Sequence, residues 1–348
     1  MEKIIKYYHK AIDKNEKGFI LFMFRGILLV LSVVYRISIE VVDVFYRIGI
    51  KKQYKINVPV VSVGNLTLGG TGKTPFSIFV AKYYKSIGLK PAILTRGYGN
   101  DENRIIEKLA GVDVFVGQDR VKNSEVAIAN GNNILILDDG FQHRRIKRDL
   151  DIVLLNSENP FGNEQVFPRG TLREPIKSMS RADMIILSKV DRLNEEKISE
   201  LCKEIKDRFN KDILATFKYR MEKMIDFYGK IVLKDVFLDK KSILVSGIGD
   251  PKYFHHIARI IGIQIIDTYV YSDHYPYSQN DIDFLNDECE KKGADIIFMT
   301  EKDFIKIQNF NLTGVKDKIR IMCVEVEIEK NEEKLIRGFH SIVNNQVS

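Results

Sequence analysis

The chain has 348 residues, 45% hydrophobic and 29% charged, with a formal net charge of +7. That balance excludes intrinsic disorder and leaves room for two globular domains. Three widely spaced cysteines, Cys202, Cys289 and Cys323, contain no C-x-x-C pair, which suggests neither a zinc site nor a disulfide framework and fits a reducing compartment.

The positive charge is concentrated at one end, where residues 1–55 hold eleven Lys/Arg against five Asp/Glu. Within it, the 17 residues from Phe19 to Tyr35 are apolar except for Arg25, Gly26 and Ser32. A bilayer span needs about 20 residues and tolerates a central Arg poorly. No small-residue cleavage site follows, which argues against a signal peptide. Residues 1–50 are therefore expected to form a membrane-associating interfacial helix. Lys3, Lys6, Lys10, Lys14, Lys17, Arg36, Arg47, Lys51 and Lys52 would lie against anionic headgroups. The alternative is a helix packed on the protein's own core.

Val58 to Gly64 reads as a buried strand, followed by Asn65-Leu-Thr-Leu-Gly-Gly-Thr-Gly-Lys73-Thr74 and a helix with Pro75 in its first turn. Gly69, Gly70 and Gly72 allow backbone N–H groups to turn onto a phosphate, Lys73 supplies a charge and Thr74 a hydroxyl for Mg²⁺. The match to G-x-x-x-x-G-K-[ST] is not strict, because Thr67 stands at the first glycine position and Gly64 lies three residues early. The helix carries an apolar stripe of Phe76, Phe79, Val80, Tyr83 and Ile87.

Pro91 to Thr95 is a short strand ending in Arg96-Gly-Tyr-Gly99, which puts Arg96 at the carboxyl edge where open parallel sheets bind ligands. Asn100-Asp101-Glu102 is an acidic loop, and two adjacent acids alone mean little. Asp119-Arg120 opens a helix to about Asn130. The apolar run Asn133 to Leu137 ends in Asp138-Asp139, 65 residues after Lys73, as expected for a Mg²⁺-holding carboxylate opposite the phosphate loop. Further strands are expected at Asp151–Asn156 and Asp183–Ser188. Between them Phe167 to Pro175 reads as a loop too polar and proline-bounded to be core. Ser188-Lys189-Val-Asp191 faintly echoes the guanine-reading motif of GTPases and reads instead as the lead into a helix over Glu195–Phe209.

From about Thr216, two β-like runs, Phe217–Tyr228 and Lys230–Phe237, suggest a hairpin linker over 216–240. A second β-α-β series follows, with strands at 242–246, 264–270, 295–300 and 319–326 and helices at 251–261, 280–292 and 332–343. The expected fold is α/β, with two α/β/α layered domains, 51–215 and 241–348, the first a P-loop NTPase-like mostly parallel sheet. Tyr271-Ser-Asp273-His274 and Thr300-Glu-Lys-Asp303 read as loops at strand ends. As a lone histidine, His274 is as readily structural or exposed as catalytic.

Taken in order, Val63-Gly-Asn-Leu-Thr-Leu-Gly-Gly-Thr-Gly-Lys-Thr-Pro75, Thr95-Arg-Gly-Tyr-Gly99, Asp138-Asp-Gly-Phe-Gln-His143, Leu172-Arg-Glu-Pro175, Asp273-His274 and Thr300-Glu-Lys-Asp303 resemble the tetraacyldisaccharide 4'-kinase family, the lipid A 4'-kinases of Gram-negative envelopes. The resemblance implies transfer of the ATP γ-phosphoryl group to the 4'-hydroxyl of a tetraacylated glucosamine disaccharide 1-phosphate. It also implies Mg²⁺, work at the cytoplasmic face of the inner membrane, and neither nucleic acid nor an obligate protein partner. It assigns Thr67, Gly69, Gly70, Thr71, Gly72, Lys73 and Thr74 to ATP, and Thr74, Asp138, Asp139 and Glu174 to the metal. Arg96, Arg120, Arg173 and His143 fall to phosphate or substrate. Asp101, tuned by His274, becomes the base on the sugar hydroxyl. The segment Asn100-Asp101-Glu102-Asn103 lacks the family's flanking glycine and proline. Asp101 is matched because it precedes Arg120 by 19 residues and Asp138 by 37. The rival reading from another class is a membrane-recruited P-loop switch or partitioning ATPase.

Overall fold

A computed structural model describes residues 18–97, 106–107 and 109–344. Asp101 and the lysines of the first 17 positions lie outside the described residues. The chain divides into two compact units; of the described residues the first is built on 18–96, 112–217 and 328–344 and the second on 97, 106–107, 109–111 and 218–327.

The first unit contains β1 (Val60–Asn65), β2 (Pro91–Thr95), β3 (Asp113–Val116), β4 (Ile134–Asp138), β5 (Leu150–Asn156), β6 (Met184–Ser188) and the start of β7 (Ile213–Asp226). Their order is β3-β2-β4-β1-β5-β6-β7 with parallel pairing throughout. β1, β2, β4 and β6 are buried at every position, which is why each is an unbroken apolar run in the sequence. Val63 pairs with Asp138 and Leu94 with Leu137. The chain therefore leaves β1, β2 and β4 along one carboxyl edge, where such sheets bind ligands. The helices α2 (Lys73–Ser86), α3 (Arg120–Ala129) and α4 (Glu195–Phe209) form where expected. The buried face of α2 runs through Phe76, Val80 and Tyr84, while Ile87 is exposed.

The early glycine has a packing cause. A Cβ on Gly64 would lie 2.5 Å from the Phe141 Cβ and 2.7 Å from its backbone N. Gly64 thus admits the turn that follows β4 against β1, rather than touching a phosphate.

The helix α1 (Phe19–Arg47) runs 29 residues, past the apolar segment read from the sequence, and is long and apolar enough to cross a membrane by length and composition. One stripe packs on the first unit. Leu21 and Leu28 are buried, Ser32 Oγ donates to the Val166 carbonyl at 2.7 Å, and Tyr35 donates to the Arg173 carbonyl at 3.1 Å. Lys177 meets Glu40 at 2.7 Å, and Arg144 pairs with Asp43 and stacks on Tyr46. These contacts recur along the helix at the three-to-four-residue spacing of one face. The rest of its surface stays apolar and open, with Phe22 70%, Val30 64% and Val34 58% exposed.

In the second unit the order is β7-β11-β10-β8-β9, with β8 (Ser242–Ser246), β9 (Ile265–Val270), β10 (Ile296–Thr300) and β11 (Ile319–Lys330). Its helices are α5 (Pro251–Ile261), α6 (Gln279–Lys292) and α7 (Glu301–Ile307). Three expectations are corrected. The hairpin over 216–240 has a long first limb, β7, and a return limb of one bridge, Ile225 to Ile231, before a turn at Lys234–Val236. Thr300 to Asp303 is the start of α7 rather than a loop. The last helix, α8 (Glu332–Asn344), belongs to the first unit, where Tyr84 of α2 donates to the Phe339 carbonyl at 3.1 Å and Tyr83 meets His340 at 2.7 Å.

Gly64→Ala is expected to destabilise the protein by about 1–3 kcal/mol, because the added methyl meets Phe141 backbone that cannot swing aside. A thermal midpoint lowered by several degrees checks it, and an unchanged midpoint would mean that the Phe141 turn yields.

Candidate active site

Asn65 ends β1 and folds the loop after it, its Nδ2 donating to the Thr67 carbonyl at 2.7 Å and to Thr71 Oγ1 at 2.8 Å. Thr67 bridges Leu172 in antiparallel fashion, and Leu68 N to Thr171 O and Arg173 N to Leu66 O, both 2.7 Å, continue that pairing. Thr67 thus occupies extended backbone, which a β-branched residue suits. Left-handed geometry is needed only further on, at Gly69 with φ 110° and Gly72 with φ 91°. The displaced glycine of the motif follows from this pairing. It also corrects the reading of 167–175 as wholly outside the core, since Leu172 and Glu174 are buried. Gly72 is the N-cap of α2; having no side chain, it leaves first-turn N–H groups to an anion at the positive end of the helix.

Asp138 is 4% exposed. Its Oδ2 accepts from Thr74 Oγ1 at 3.0 Å and its Oδ1 from Ser77 Oγ at 2.8 Å. Burial, with Asp139 adjacent, pushes its carboxyl up from the usual range. Asp139 behaves oppositely. Burial alone would raise it, but Lys73 and Arg173 together hold it below the ordinary carboxylate range. Lys73 Nζ lies 3.7 Å from its Oδ1, and Arg173 Nη1 donates to both oxygens at 2.7 and 2.8 Å.

These oxygens suit a hard divalent cation. A buried carboxylate with a hydroxyl against it, beside a phosphate loop, is the small protein share of a Mg²⁺ site whose other ligands are waters and phosphate. Glu174 does not join this group through its hydrogen bonds. Arg181 donates to it at 2.8 Å, and no set of three His, Cys, Asp or Glu able to hold a metal occurs among the described residues.

Arg120 is buried, its guanidinium donating to the Asp138 carbonyl at 2.7 Å and the Asp139 carbonyl at 3.2 Å, so it braces the aspartate turn. Asp119 beside it caps α3, accepting from Val121 N and Lys122 N. His143 is half-buried, and burial together with Arg120, Arg145 and Arg148 pushes its imidazole down to about 4. At neutral pH its ring is therefore a neutral hydrogen-bonding group, not a cation. Arg96 stands exposed just beyond β2 on the same carboxyl edge.

His274 lies in the second unit with φ 60°. Its N–H donates to Asp273 Oδ1 at 3.0 Å, Lys302 Nζ donates to the same oxygen at 3.2 Å, and Lys302 Nζ lies 3.4 Å from His274 Nε2. Asp303 is fully buried. It accepts from Gly247 N at 2.9 Å, Tyr277 at 3.1 Å and Thr300 at 2.6 Å, stapling the turns after β8 and β10 to the segment before α6. Sequence reasoning passed over Asn65 and Ser77. It also missed the α7 start, although Thr300-Glu-Lys-Asp303 has the Thr-x-x-acid spacing of a helix N-terminus.

Residues 24–344 match the family model described as Tetraacyldisaccharide-1-P 4'-kinase. The Tetraacyldisaccharide 4'-kinase of Halothermothrix orenii is 31% identical, covering 87% of this chain and 88% of that protein. That of Desulfotalea psychrophila is 34% identical, covering 80% and 87%. Among solved structures, the "apo" form of LpxK from Aquifex aeolicus in complex with ATP is similar at a TM-score of 0.70 and 30% identity, over 92% of this chain and 99% of that one.

The His143 shift fixes a sign for pH. Its folded value lies below its unfolded value of 6.5, so its contribution is present above pH 6.5 and is lost as pH falls from 6.5 through about 4. His143→Gln is expected to lessen the acid loss of stability across that window by about 1–2 kcal/mol after solvent screening. Denaturant unfolding at stepped pH reads it, and an identical slope in both proteins would contradict the assignment.

Proposed function

The chain belongs to the tetraacyldisaccharide 4'-kinase family, and from that premise we propose that it transfers the γ-phosphoryl group of ATP to the 4'-hydroxyl of a tetraacylated glucosamine disaccharide 1-phosphate. It is a kinase of lipid A biosynthesis. The observation that carries the finer reading is Thr74 set 3.0 Å from buried Asp138, directly after Lys73, at the head of an uncapped helix. The family match does not favour a switch or partitioning ATPase.

Catalysis of this kind is positioning and charge neutralisation. Lys73 and the first-turn N–H groups of α2 hold the terminal phosphates, with Thr67 to Thr71 shaping the cradle. Thr74 and Asp138 would hold Mg²⁺, with Asp139 beside them and Glu174 nearby, paired with Arg181. When bound, the ion neutralises charge on the transferring phosphoryl group. Arg173 keeps Asp139 ionised and presents its remaining N–H groups to phosphate oxygen. Arg120 holds the aspartate turn, and Arg96 and His143 line the phosphate side. Asp101 takes the proton of the 4'-hydroxyl, with His274 orienting it. The acceptor oxygen bonds to the γ-phosphorus as the bridge to the β-phosphate breaks, and ADP leaves.

The open apolar face of α1 supports a monotopic membrane position, which we place at the cytoplasmic face of the inner membrane. A helix tied to the first unit from Leu21 to Tyr46 lies along that unit instead of leaving it, so its exposed apolar face enters the acyl boundary beside a lipid acceptor.

With γ-labelled ATP and the tetraacyl disaccharide 1-phosphate, Lys73→Ala and Asp101→Ala are each expected to lower labelling of the lipid at least 100-fold, on the order of an activated-group loss. Full labelling by either variant removes that residue from its role. The triple change Phe22→Ser, Val30→Ser and Val34→Ser is expected to release the protein from anionic vesicles, each site losing about 1–2 kcal/mol of apolar burial in lipid, with the unfolding midpoint in detergent unchanged. Undiminished sedimentation with vesicles would contradict the docking face.

A further inference from the structure

β7 ends at Asp226, and the chain turns back at once through Phe227 to Lys230. The turn is fixed by its own polar groups. Asp226 N donates to the Lys230 carbonyl at 2.9 Å, Asp226 Oδ1 accepts from Tyr228 N and Lys230 N at 2.9 Å each, and Gly229 takes φ 83°. Val232 N carries the pairing on by donating to the Met224 carbonyl at 2.8 Å. Phe227 packs inward against the core of the second unit, edge-on to Phe304 of α7 with ring centroids 5.4 Å apart. A rigid tip is thus mounted on that core.

What the tip shows to solvent is apolar. Tyr228 is 67% exposed, Ile231 61%, Leu233 69% and Val236 49%. Exposed apolar side chains scattered singly are ordinary, whereas four within the nine residues from Tyr228 to Val236 form a patch. Cations rim it. Lys230 and Lys234 are exposed between the apolar residues, and Lys316 Nζ stands over the rings of Phe227 and Tyr228 at 4.5 and 4.7 Å. Asp226 is occupied by backbone N–H groups, which leaves Asp235 as the one other acid from 226 to 236. The turn also stands clear, since a Cβ on Gly229 would meet no atom within 4 Å. A convex tip of two aliphatics and a tyrosine, with lysines beside them, matches the boundary of an anionic bilayer. There the apolar groups enter the acyl region and the ammonium groups meet phosphate. A protein partner needs about 800 Å² of matched surface on each side, a breadth that one hairpin turn lacks.

We propose that the hairpin tip at 226–236 is a second membrane-docking surface of this chain, inserting Tyr228, Ile231 and Leu233 into an anionic lipid surface while Lys230, Lys234 and Lys316 bind its headgroups. The tip belongs to the second unit and shares no residue with α1. It therefore stands or falls separately from the membrane position of α1 and from the phosphoryl transfer.

The chain contains no tryptophan, so Ile231→Trp reports from the tip alone and Val30→Trp from α1 alone. Full-length protein is titrated with vesicles of phosphatidylcholine and phosphatidylglycerol in equal parts. Ile231→Trp emission is expected to shift to the blue and to be quenched when the same vesicles carry doxyl-labelled lipid. Vesicles of phosphatidylcholine alone are expected to require at least about tenfold more lipid for the same shift. Adding Lys230→Gln and Lys234→Gln to Ile231→Trp is expected to weaken the anionic titration by about tenfold with the unfolding midpoint unchanged, each lysine being worth roughly fivefold at a charged surface. Ile231→Trp that stays unshifted and unquenched while Val30→Trp responds overturns the tip and leaves the α1 reading standing. Silence in both variants overturns both surfaces. A blue shift of Ile231→Trp that needs no vesicles and grows with protein concentration puts a second copy of the chain on the tip and overturns the lipid. Equal titrations with both vesicle types, or one untouched by the lysine changes, overturn the headgroup contact. Should Ile231→Trp fail to fold, Leu233→Trp reads the same tip.

Discussion

Asp139 takes two cations from two different loops, and the candidate site is organised around that meeting. Lys73 comes from the head of α2 and Arg173 from the segment paired with residues 66–68. Each ammonium or guanidinium would be costly half-buried without a counter-charge, and the carboxylate would be costly without them. Together they satisfy one another and fix the distance between phosphate loop and aspartate turn. Arg120 holds the same turn from behind through backbone carbonyls. A phosphoryl group entering such a site finds donors already aimed, the condition under which electrostatic stabilisation needs little reorganisation.

The two neighbouring aspartates consequently differ in kind. Asp139 is held ionised by cations, whereas Asp138 is buried against hydroxyls and is raised. Thr74 and Ser77 offset part of its burial cost in the nucleotide-free protein, and a divalent ion would offset far more by taking the place of the Thr74 proton. For Asp138 alone, a raised folded value means that its contribution is present at low pH and lost as pH rises through that value, the reverse of Asp139. Adjacent residues of the same type are thus tuned apart by what surrounds them, Asp138 by burial against hydroxyls and Asp139 by two cations.

Much of this was legible before any coordinates. β1, β4 and β6 are buried on both faces and so write themselves as continuous apolar runs, and a loop between such a strand and a helix, with Lys73-Thr74 at its end, has few other uses. What was hidden depends on contacts between distant segments. The polarity and prolines of 167–175 conceal that its backbone pairs with 66–68, and that pairing explains why Thr67 replaces a glycine. Nothing local marks Lys189 as buried or left-handed. The return of α8 to α2 follows from Phe339 and Tyr84 finding one another across more than two hundred residues of chain, which no periodicity records. Asp273 and His274 were visible as residues, but their link to Lys302 through the start of α7 was not.

The segment 166–177 joins α1 to the phosphate loop. On one side it pairs with the phosphate loop and delivers Arg173 to Asp139. On the other, α1 grips it through Ser32 to Val166, Tyr35 to Arg173 and Glu40 to Lys177. The Tyr35 contact is made to the carbonyl of Arg173 itself. Burial and the nearby Glu174 raise its phenol, against the pull of Arg173, so it remains a hydrogen-bond donor at any physiological pH. In the membrane position proposed above, α1 fixes the height of Arg173, and through Asp139 that of Lys73, above the lipid surface. For a kinase whose acceptor keeps its acyl chains in the bilayer, that height determines whether the sugar hydroxyl and the γ-phosphate meet. A rigid polar bracket between helix and loop achieves this without requiring the helix to touch the nucleotide.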